Sequence, residues 1–267
     1  MMMEEDMGRP DPAHQQEHCQ RLSKALAERQ WIGFDLDDTL HEFRRAASAA
    51  AGRVLAALHE AYGVPLATLE SHYAEVLRAG TRAGFAEGKS SSEYRRARFL
   101  AVADRLALPL AGDGALVSRL LRLYEDALEA ALAPKRGARD LLRTARRLGK
   151  RMAVVTEGPQ GAQAWTLERL GLAPHVDFLA TAGRFRVSKV DGLFARVLET
   201  LGIAPAEMAY VGDSEARDMV PAMAEGIFCV YFAEGAECDL AAHPPRVDTL
   251  TRLESILSSG GQQDGVL

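Results

Sequence analysis

The stretch 31-WIGFDLDDTL-40 decides the fold, because it joins a short apolar run to a cluster of acidic residues. The apolar residues are typical of a buried parallel strand, which we expect to span residues 31–36. Asp35 and Asp37 alternate with Leu36, so in extended geometry both carboxylates lie on one side of the chain. Open α/β sheets bind ligands at the carboxyl ends of such strands. The stretch therefore predicts a ligand site that begins at Asp35.

Two interpretations of the acidic cluster differ in what the carboxylates bind. In the first, the aspartate side chains accept hydrogen bonds from their own backbone in a turn. In the second, two carboxylates this close repel each other, and a bound cation relieves the repulsion. The alternation of Asp35 and Asp37 favours the second interpretation, and we predict a metal there.

Composition restricts the class of protein. The chain has 267 residues, of which 48% are hydrophobic, and this suits a globular α/β protein with room for an insertion. Its net charge of −5 gives no general attraction to nucleic acid or to anionic membranes. Cys19, Cys229 and Cys238 form no C-x-x-C motif, and the acidic start does not resemble a signal peptide. We expect a cytoplasmic monomer or homodimer without a nucleic-acid or membrane partner.

Hydrophobic periodicity divides the chain into four parts. Residues 1–30 are predicted as an N-terminal extension with a helix, and residues 43–133 as a bundle of alanine- and leucine-rich helices. Residues 31–42 and 134–257, in which strands and helices alternate, are predicted as a doubly wound, Rossmann-like parallel sheet with helices on both faces. Residues 258–267, polar and rich in glycine, are predicted as a disordered tail. The fold class is thus α/β with an inserted α-helical cap.

A second predicted strand ends in the segment MAVVTEG. Thr156 lies at its end, and Glu157 and Gly158 follow. A hydroxyl group and free backbone N–H groups at this position suit an anion. A threonine at the end of a strand also caps helices, and this segment alone does not separate the two roles.

Two later segments place charged residues near the same predicted edge of the sheet. In MAYVGDSEARD, Asp213 ends an apolar strand, where its carboxylate can reach a metal bound by Asp35, and Asp218 follows as a supporting residue. The alternative is a Gly-Asp turn that precedes a capped helix. Lys189 precedes a predicted helix, where it either lies in solvent or balances the charge of a phosphate and several carboxylates.

In chain order, these signals are an Asp-x-Asp-x-Thr motif, a threonine, a lysine and a Gly-Asp motif with a further aspartate. This order over residues 31–250 resembles the haloacid dehalogenase-like superfamily. The residues that match its four motifs are Asp35 to Thr39, Thr156, Lys189, and Asp213 with Asp218.

The resemblance implies a Mg²⁺-dependent enzyme that forms an aspartyl-phosphate. Asp35 is then the nucleophile, and Asp37 protonates the leaving alcohol before it activates water. The implied metal site consists of the Asp35 carboxylate, the backbone carbonyl of Asp37 and the Asp213 carboxylate, with Asp218 in support. The helical insertion directly after the first motif likewise resembles the cap of one group within the superfamily.

The remaining predicted site residues are candidates for substrate contacts. By the resemblance, Thr156 and Lys189 bind the oxygens of the transferred phosphoryl group. Arg95 and Arg98 fall three residues apart on one face of a predicted helix, where they meet an anionic substrate or lie in water. His41 either faces the leaving group or belongs to a linker. The candidate substrate residues are Thr39, Glu157, Gly158, Arg95 and Arg98.

Asp37 also bears on the reaction, since dehalogenases and phosphonate-cleaving members of the superfamily lack an acid at this position. We therefore expect a phosphatase that acts on a small phosphorylated metabolite. Two segments, TEGPQGAQAWTLERLGL and GFAEGKSSSEYRRARF, resemble phosphatases of nucleoside monophosphates or sugar phosphates, such as pyrimidine 5'-nucleotidases and N-acylneuraminate-9-phosphatases. The alternatives are a phosphoryl mutase of the β-phosphoglucomutase type and a non-catalytic phosphate-binding protein.

Overall fold

The core of the protein is a six-stranded parallel sheet, as seen in a computed structural model that describes residues 12–81 and 89–260. The strands are β1 (Trp31–Phe34), β2 (Arg151–Thr156), β3 (Phe178–Thr181), β4 (Met208–Gly212), β5 (Phe228–Phe232) and β6 (Arg246–Val247). They lie in the order β3-β2-β1-β4-β5-β6. This is the doubly wound order, in which ligands bind where the strand order reverses, next to β1. The predicted fold class is confirmed.

Helices surround this sheet and fill the segment after β1. They are α1 (Pro12–Ala27), α2 (Phe43–Tyr62), α3 (Leu66–Thr81), α4 (Ser91–Arg105), α5 (Gly114–Ala131), α6 (Ala138–Arg147), α7 (Gln160–Arg169), α8 (Ala182–Phe185), α9 (Leu193–Leu201), α10 (Val220–Ala224) and α11 (Leu250–Gly260). A π-helical turn, Glu215–Met219, leads into α10. Among the described residues, no helix combines the length and the apolar composition that a membrane crossing requires.

The central strand is shorter than predicted. β1 pairs with both β2 and β4 and is buried along its whole length. It ends at Phe34 rather than at residue 36, because Asp35 donates one last backbone hydrogen bond to Val211 at 2.9 Å and the chain then turns. Asp38 has a φ of 66°, a left-handed conformation that a strand does not contain. The turn keeps the acidic residues at the carboxyl end of the sheet.

The inserted helices α2 to α5 contain no strand in their described part, as predicted, and they have an apolar core of their own. Val54 and Leu58 of α2 pack there with Phe99 of α4 and Leu120 of α5. Helix α4 begins at a capping box, in which Ser90 and Glu93 bind each other's backbone N–H groups. The assignment of residues 43–133, which contain α2 to α5, as a separate cap stays a prediction.

The two ends of the described chain pack together. Leu22 and Leu26 of α1 are buried, and Ser23 donates a hydrogen bond to the Ile256 carbonyl of α11 at 2.7 Å. Helix α11 reaches Gly260, so the tail predicted from residue 258 begins too early. A Cβ atom at Gly260 would lie 2.7 Å from the Ser23 hydroxyl oxygen. This close packing against α1 extends α11. Residues 261–267 lie outside the described residues.

Candidate active site

The turn after β1 holds the first motif at the edge of the sheet. The Asp35 side chain is buried, and the left-handed Asp38 donates its N–H to the His41 carbonyl at 2.9 Å. The side chain of Asp37 is 27% exposed and faces a cavity above the sheet. Thr39, predicted to contact substrate, is instead fully buried and does not line this cavity. The two aspartates therefore have different surroundings.

Lys189 lies between two buried carboxylates. Its Nζ atom is 2.5 Å from Asp35 Oδ1 and 2.6 Å from Asp218 Oδ1, and its side chain is 4% exposed. Burial alone lowers the pKa of Lys189, but the two carboxylates outweigh burial and hold that pKa above its ordinary value. The interpretation of Lys189 as a solvated surface lysine is wrong, and the residue is a fixed positive charge beside Asp35.

Asp218 is held by hydrogen bonds on both carboxylate oxygens. Tyr210, fully buried in β4, donates its hydroxyl to Oδ1 at 2.9 Å, and the Ser214 N–H donates to Oδ2 at 3.0 Å. A Cβ atom at Gly212 would lie 2.6 Å from Asp218 Cγ, so only glycine at this position leaves room for the Asp218 carboxylate. These contacts suit the predicted supporting role of Asp218.

Three carboxylates at this edge form a group with the chemistry of a divalent-cation site. Asp35, Asp213 and Asp218 each offer an oxygen, and these oxygens all lie within 4.8 Å of one another. Burial raises the pKa of Asp35 well above its ordinary value against the opposing charge of Lys189, and burial together with Asp218 raises the pKa of Asp213. Lys189 is shared between Asp35 and Asp218, and the exposed Arg44 between Asp213 and Asp38, so carboxylates outnumber cations here. A hard divalent cation with oxygen ligands would supply the missing positive charge. The donor set therefore fits Mg²⁺.

The Asp37 carboxylate lies apart from this group and is held by two other side chains. His41 Nε2 lies 2.8 Å from Asp37 Oδ1, and Gln163 of α7 donates to Oδ2 at 3.4 Å. His41 is 1% exposed, so its interpretation as a linker residue is wrong. Asp37 thus presents an oriented carboxyl group to the cavity.

The end of β2 forms the wall beside Asp37. Thr156 is buried, and the N-cap position of α7 is occupied by Pro159, so the helix-capping interpretation of Thr156 is wrong. Gly158 has a φ of 119°, which strongly favours glycine, and a Cβ atom there would lie 2.7 Å from Gln163 Nε2. Both Glu157 and Gly158 line the cavity.

The charge of Glu157 is paired. Its carboxylate accepts a hydrogen bond from the Lys189 N–H at 3.4 Å, and it lies 3.4 Å from the Arg217 guanidinium. The side chain therefore points towards Arg217 in the π-helical turn, and only 15% of it is exposed to solvent. This pairing reduces the repulsion that an unpaired glutamate would exert on a phosphate.

Three residues near the site were missed or misread from the sequence. Arg44 of α2 lies 3.0 Å from the Asp213 carboxylate and 3.1 Å from that of Asp38. Gln163 and His41 hold Asp37, as described above. An arginine or a glutamine on a helix is ordinary and gives no signal, and a histidine four residues after Asp37 gives only a weak one, because the turn between them decides whether the side chains meet.

A cavity of about 520 Å³ lies between the carboxyl edge of the sheet and the inserted helices. Asp35 and Asp37 line its sheet side, and Arg95, Arg98 and Tyr124 line its helical side. The Arg95 side chain is only 16% exposed, so the interpretation of this helix face as solvated is wrong for Arg95. The cavity has the size of a small-molecule site, and it brings the predicted catalytic and cap residues together.

The positions of these residues along the chain, and their meeting at one sheet edge beneath inserted helices, are typical of haloacid dehalogenase-like hydrolases. The model of this family, described as a haloacid dehalogenase-like hydrolase, matches residues 30–225. That match covers more than half of the chain, and the protein belongs to this family.

Three comparisons describe its similarity to known members. Over 43% of this chain and 54% of the relative, it is 30% identical to a phosphoserine phosphatase from Thermus thermophilus, so it spans about half the length of that relative. Over 86% of this chain and 95% of the relative, it is 27% identical to a ribulose-1,5-bisphosphate 5-phosphatase from Halopiger xanaduensis. The fold is similar to that of the magnesium-bound HAD-hydrolase YfnB from Bacillus subtilis, with a TM-score of 0.63 and 21% identity over 86% of this chain and 99% of that chain.

Proposed function

We propose that this protein is a Mg²⁺-dependent phosphatase that hydrolyses small phosphorylated metabolites through an aspartyl-phosphate. The observation that carries the proposal is the separation of the two aspartates. Asp35 is buried beside Lys189 in the acidic group, whereas Asp37 is partly exposed to the same cavity and held by His41. A nucleophile and a separate acid–base group are what this two-step hydrolysis needs.

In the first step, Asp35 attacks the phosphorus of the substrate, and the bond between phosphorus and the leaving oxygen breaks. Asp37 gives its proton to that oxygen, so the alcohol leaves neutral. In the second step, Asp37 takes a proton from water, which attacks the phosphorus and releases inorganic phosphate and the Asp35 carboxylate. Lys189, held beside Asp35, offers positive charge to the phosphoryl oxygens, and the Thr156 hydroxyl offers a hydrogen bond.

The carboxylates of Asp35 and Asp213 and the backbone carbonyl of Asp37 would hold Mg²⁺, with Asp218 in support. The bound ion would supply charge neutralisation for the phosphoryl group. Asp218 supports such a site because Tyr210 and Ser214 fix its orientation. Arg44, which pairs with Asp213 through a side chain that is 73% exposed, can withdraw from this carboxylate at little cost.

The relatives and the cavity support a small substrate. Phosphoserine and ribulose-1,5-bisphosphate, which name the activities of the two relatives, are small phosphate monoesters. A cavity of about 520 Å³ accommodates molecules of this size. Sugar phosphates and nucleoside monophosphates are the two substrate classes that we propose to test first. We also propose that the protein acts in the cytosol as a monomer or homodimer.

The test is the release of inorganic phosphate from an aryl phosphate and from a panel of metabolites, with Mg²⁺ and with EDTA. We expect activity that requires Mg²⁺ and that Asp35→Asn abolishes. Asp140→Asn is a matched control, because the Asp140 side chain of α6 is 70% exposed and lies outside the cavity. Retention of full Mg²⁺-dependent activity in Asp35→Asn would refute the assignment.

Product analysis separates the two alternatives. A mutase converts a hexose phosphate into its isomer, so release of free phosphate without an isomer excludes it. Tight binding of phosphorylated metabolites without turnover of any compound in the panel would support the non-catalytic alternative and contradict the proposal.

A further inference from the structure

The helical side of the cavity carries two arginines that the proposed hydrolysis does not use. Arg95 and Arg98 lie three residues apart on α4 and both line the cavity. They are held among aromatic rings: the Arg95 guanidinium lies 4.7 Å from the centre of the Tyr124 ring, and the buried Tyr73 lines the cavity beside them. A guanidinium stacked on a ring keeps its N–H donors free at the edge of its plane.

The cations on the sheet side of the cavity are already paired with carboxylates. The pairs are Lys189 with Asp35 and Asp218, Arg44 with Asp38 and Asp213, and Arg217 with Glu157. On the helical side, Arg95 has a carboxylate partner in Glu125 at 3.3 Å, and that partner is 50% exposed. Among the residues that the structure describes, no carboxylate pairs with Arg98. The helical side therefore has excess positive charge.

The neighbouring tyrosines do not remove this charge. Burial raises the pKa of Tyr73 to about 12 and also raises the pKa of Tyr124, even though both arginines oppose the shift. Both phenols are therefore neutral at physiological pH, so they lie beside the arginines without neutralising their charge. Partly buried guanidinium groups in this setting favour an anionic ligand with two oxygens, such as a carboxylate or a phosphate.

We propose that Arg95 and Arg98 bind a second anionic group of the substrate, at the opposite side of the cavity from the phosphate that is cleaved. This proposal rests on the proposed phosphatase function and narrows its substrate class. The substrate is then a small phosphate monoester whose leaving group carries a carboxylate or a second phosphate. Nucleoside monophosphates, whose only anionic group is the phosphate to be cleaved, do not fill both sites.

Matched substrate pairs test the proposal by kinetics. Phosphoglycerate is compared with glycerol phosphate, and fructose bisphosphate with fructose monophosphate, so that the two pairs distinguish a carboxylate from a phosphate as the second anion. We expect Arg95→Gln and Arg98→Gln each to lower kcat/KM about tenfold to a hundredfold for the doubly anionic member of the preferred pair. We expect an aryl phosphate and the singly anionic members to change less than about threefold.

Arg96→Gln is the control, because Arg96 lies on the same helix, is exposed and does not line the cavity. It should leave all rates unchanged. Equal losses on both members of each pair, or a wild-type preference for singly anionic substrates and nucleoside monophosphates, would overturn the proposal while leaving the phosphatase function intact.

A binding measurement keeps the proposal testable if no turnover is found. Calorimetry measures the affinity of Asp35→Asn protein for phosphoglycerate and for glycerol phosphate, with and without Arg98→Gln. We expect the second substitution to weaken phosphoglycerate binding about tenfold or more and to leave glycerol phosphate binding nearly unchanged. Unchanged affinity for phosphoglycerate would refute the second anion site, whether or not the protein is an enzyme.

Discussion

Replacing Lys189 by methionine removes the positive charge between two buried carboxylates. Methionine is unbranched and only one heavy atom shorter than lysine, so the change is mainly one of charge. The Lys189 ammonium lies 2.5 Å from Asp35 Oδ1 and 2.6 Å from Asp218 Oδ1, and both carboxylates are buried. In Lys189→Met, these two buried negative charges face each other without a cation between them, and the nearby Asp213 keeps its pairing with the exposed Arg44.

The size of the effect follows from the burial of Lys189, Asp35 and Asp218. Breaking a buried ion pair by removing one partner costs about 3–5 kcal/mol, because the remaining charge is left without compensation. This is a large part of the 5–15 kcal/mol that stabilises a typical domain, so we expect a marked loss of stability at pH 7 in EDTA. Removing one carboxylate as well, in Lys189→Met with Asp218→Asn, should recover part of the loss.

Urea denaturation followed by circular dichroism measures the change, in EDTA and in saturating Mg²⁺. We expect Mg²⁺ to stabilise the variant more than the wild type, because the ion then replaces the missing positive charge. Catalysis should nevertheless fall at least a hundredfold, since charge beside the nucleophile is lost. A loss below about 1 kcal/mol in EDTA, within the range of an exposed pair, would refute the view that Lys189 neutralises this site.

Three further predictions address other parts of the structure. His41→Ala removes the partner that orients Asp37, so we expect kcat to fall about tenfold or more on alkyl phosphates, with a much smaller fall on an aryl phosphate whose leaving group needs no proton; equal losses on both would contradict the positioning role. Asp177→Ala should cost about 1–2 kcal/mol at pH 7, since Asp177 accepts the Met152 N–H at 2.8 Å and pairs with Arg146 at 2.9 Å. Burial opposes these two interactions, but they hold the pKa of Asp177 below its ordinary value. Its stabilisation is therefore present above the unfolded-state pKa and is lost as pH falls through the folded-state pKa. The denaturation curves of wild type and variant should differ at pH 7 and converge in acid. Leu58→Ala creates a cavity in the core of the inserted helices and should cost about 2–5 kcal/mol in thermal unfolding, and a loss below about 1 kcal/mol would contradict the tight packing of that core.

The motifs at strand ends were predictable from the sequence because their positions are fixed by local chain geometry. An apolar run followed by Asp35 and Asp37 specifies both the strand and the edge at which the side chains emerge. Parallel strands bring their carboxyl ends to one edge, so Asp213 was expected near Asp35 despite their separation in sequence. Lys189 precedes a helix rather than ending a strand, and only the resemblance placed it at the same site.

The partners of Asp37 and Asp213 depend on contacts that sequence spacing does not encode. Gln163 reaches Asp37 from a helix after β2, and Arg44 reaches Asp213 from the first turn of α2. The role of His41 depends on the left-handed turn at Asp38, which folds residue 41 back onto Asp37. The end of α11 was misplaced for a similar reason, since packing against α1 extends a helix that composition alone would end earlier.

The central claim is that Asp35 carries the phosphoryl group during turnover. Asp37→Asn protein, slowed in its second step, is mixed with an aryl phosphate and Mg²⁺, quenched in acid, digested with pepsin and examined by mass spectrometry. We predict the mass of one phosphoryl group on the peptide that contains Asp35, and its absence when Asp35→Asn is added to the same protein. Release of the aryl alcohol and phosphate without any phosphorylated peptide, or with the phosphoryl group on another residue, would contradict the claim.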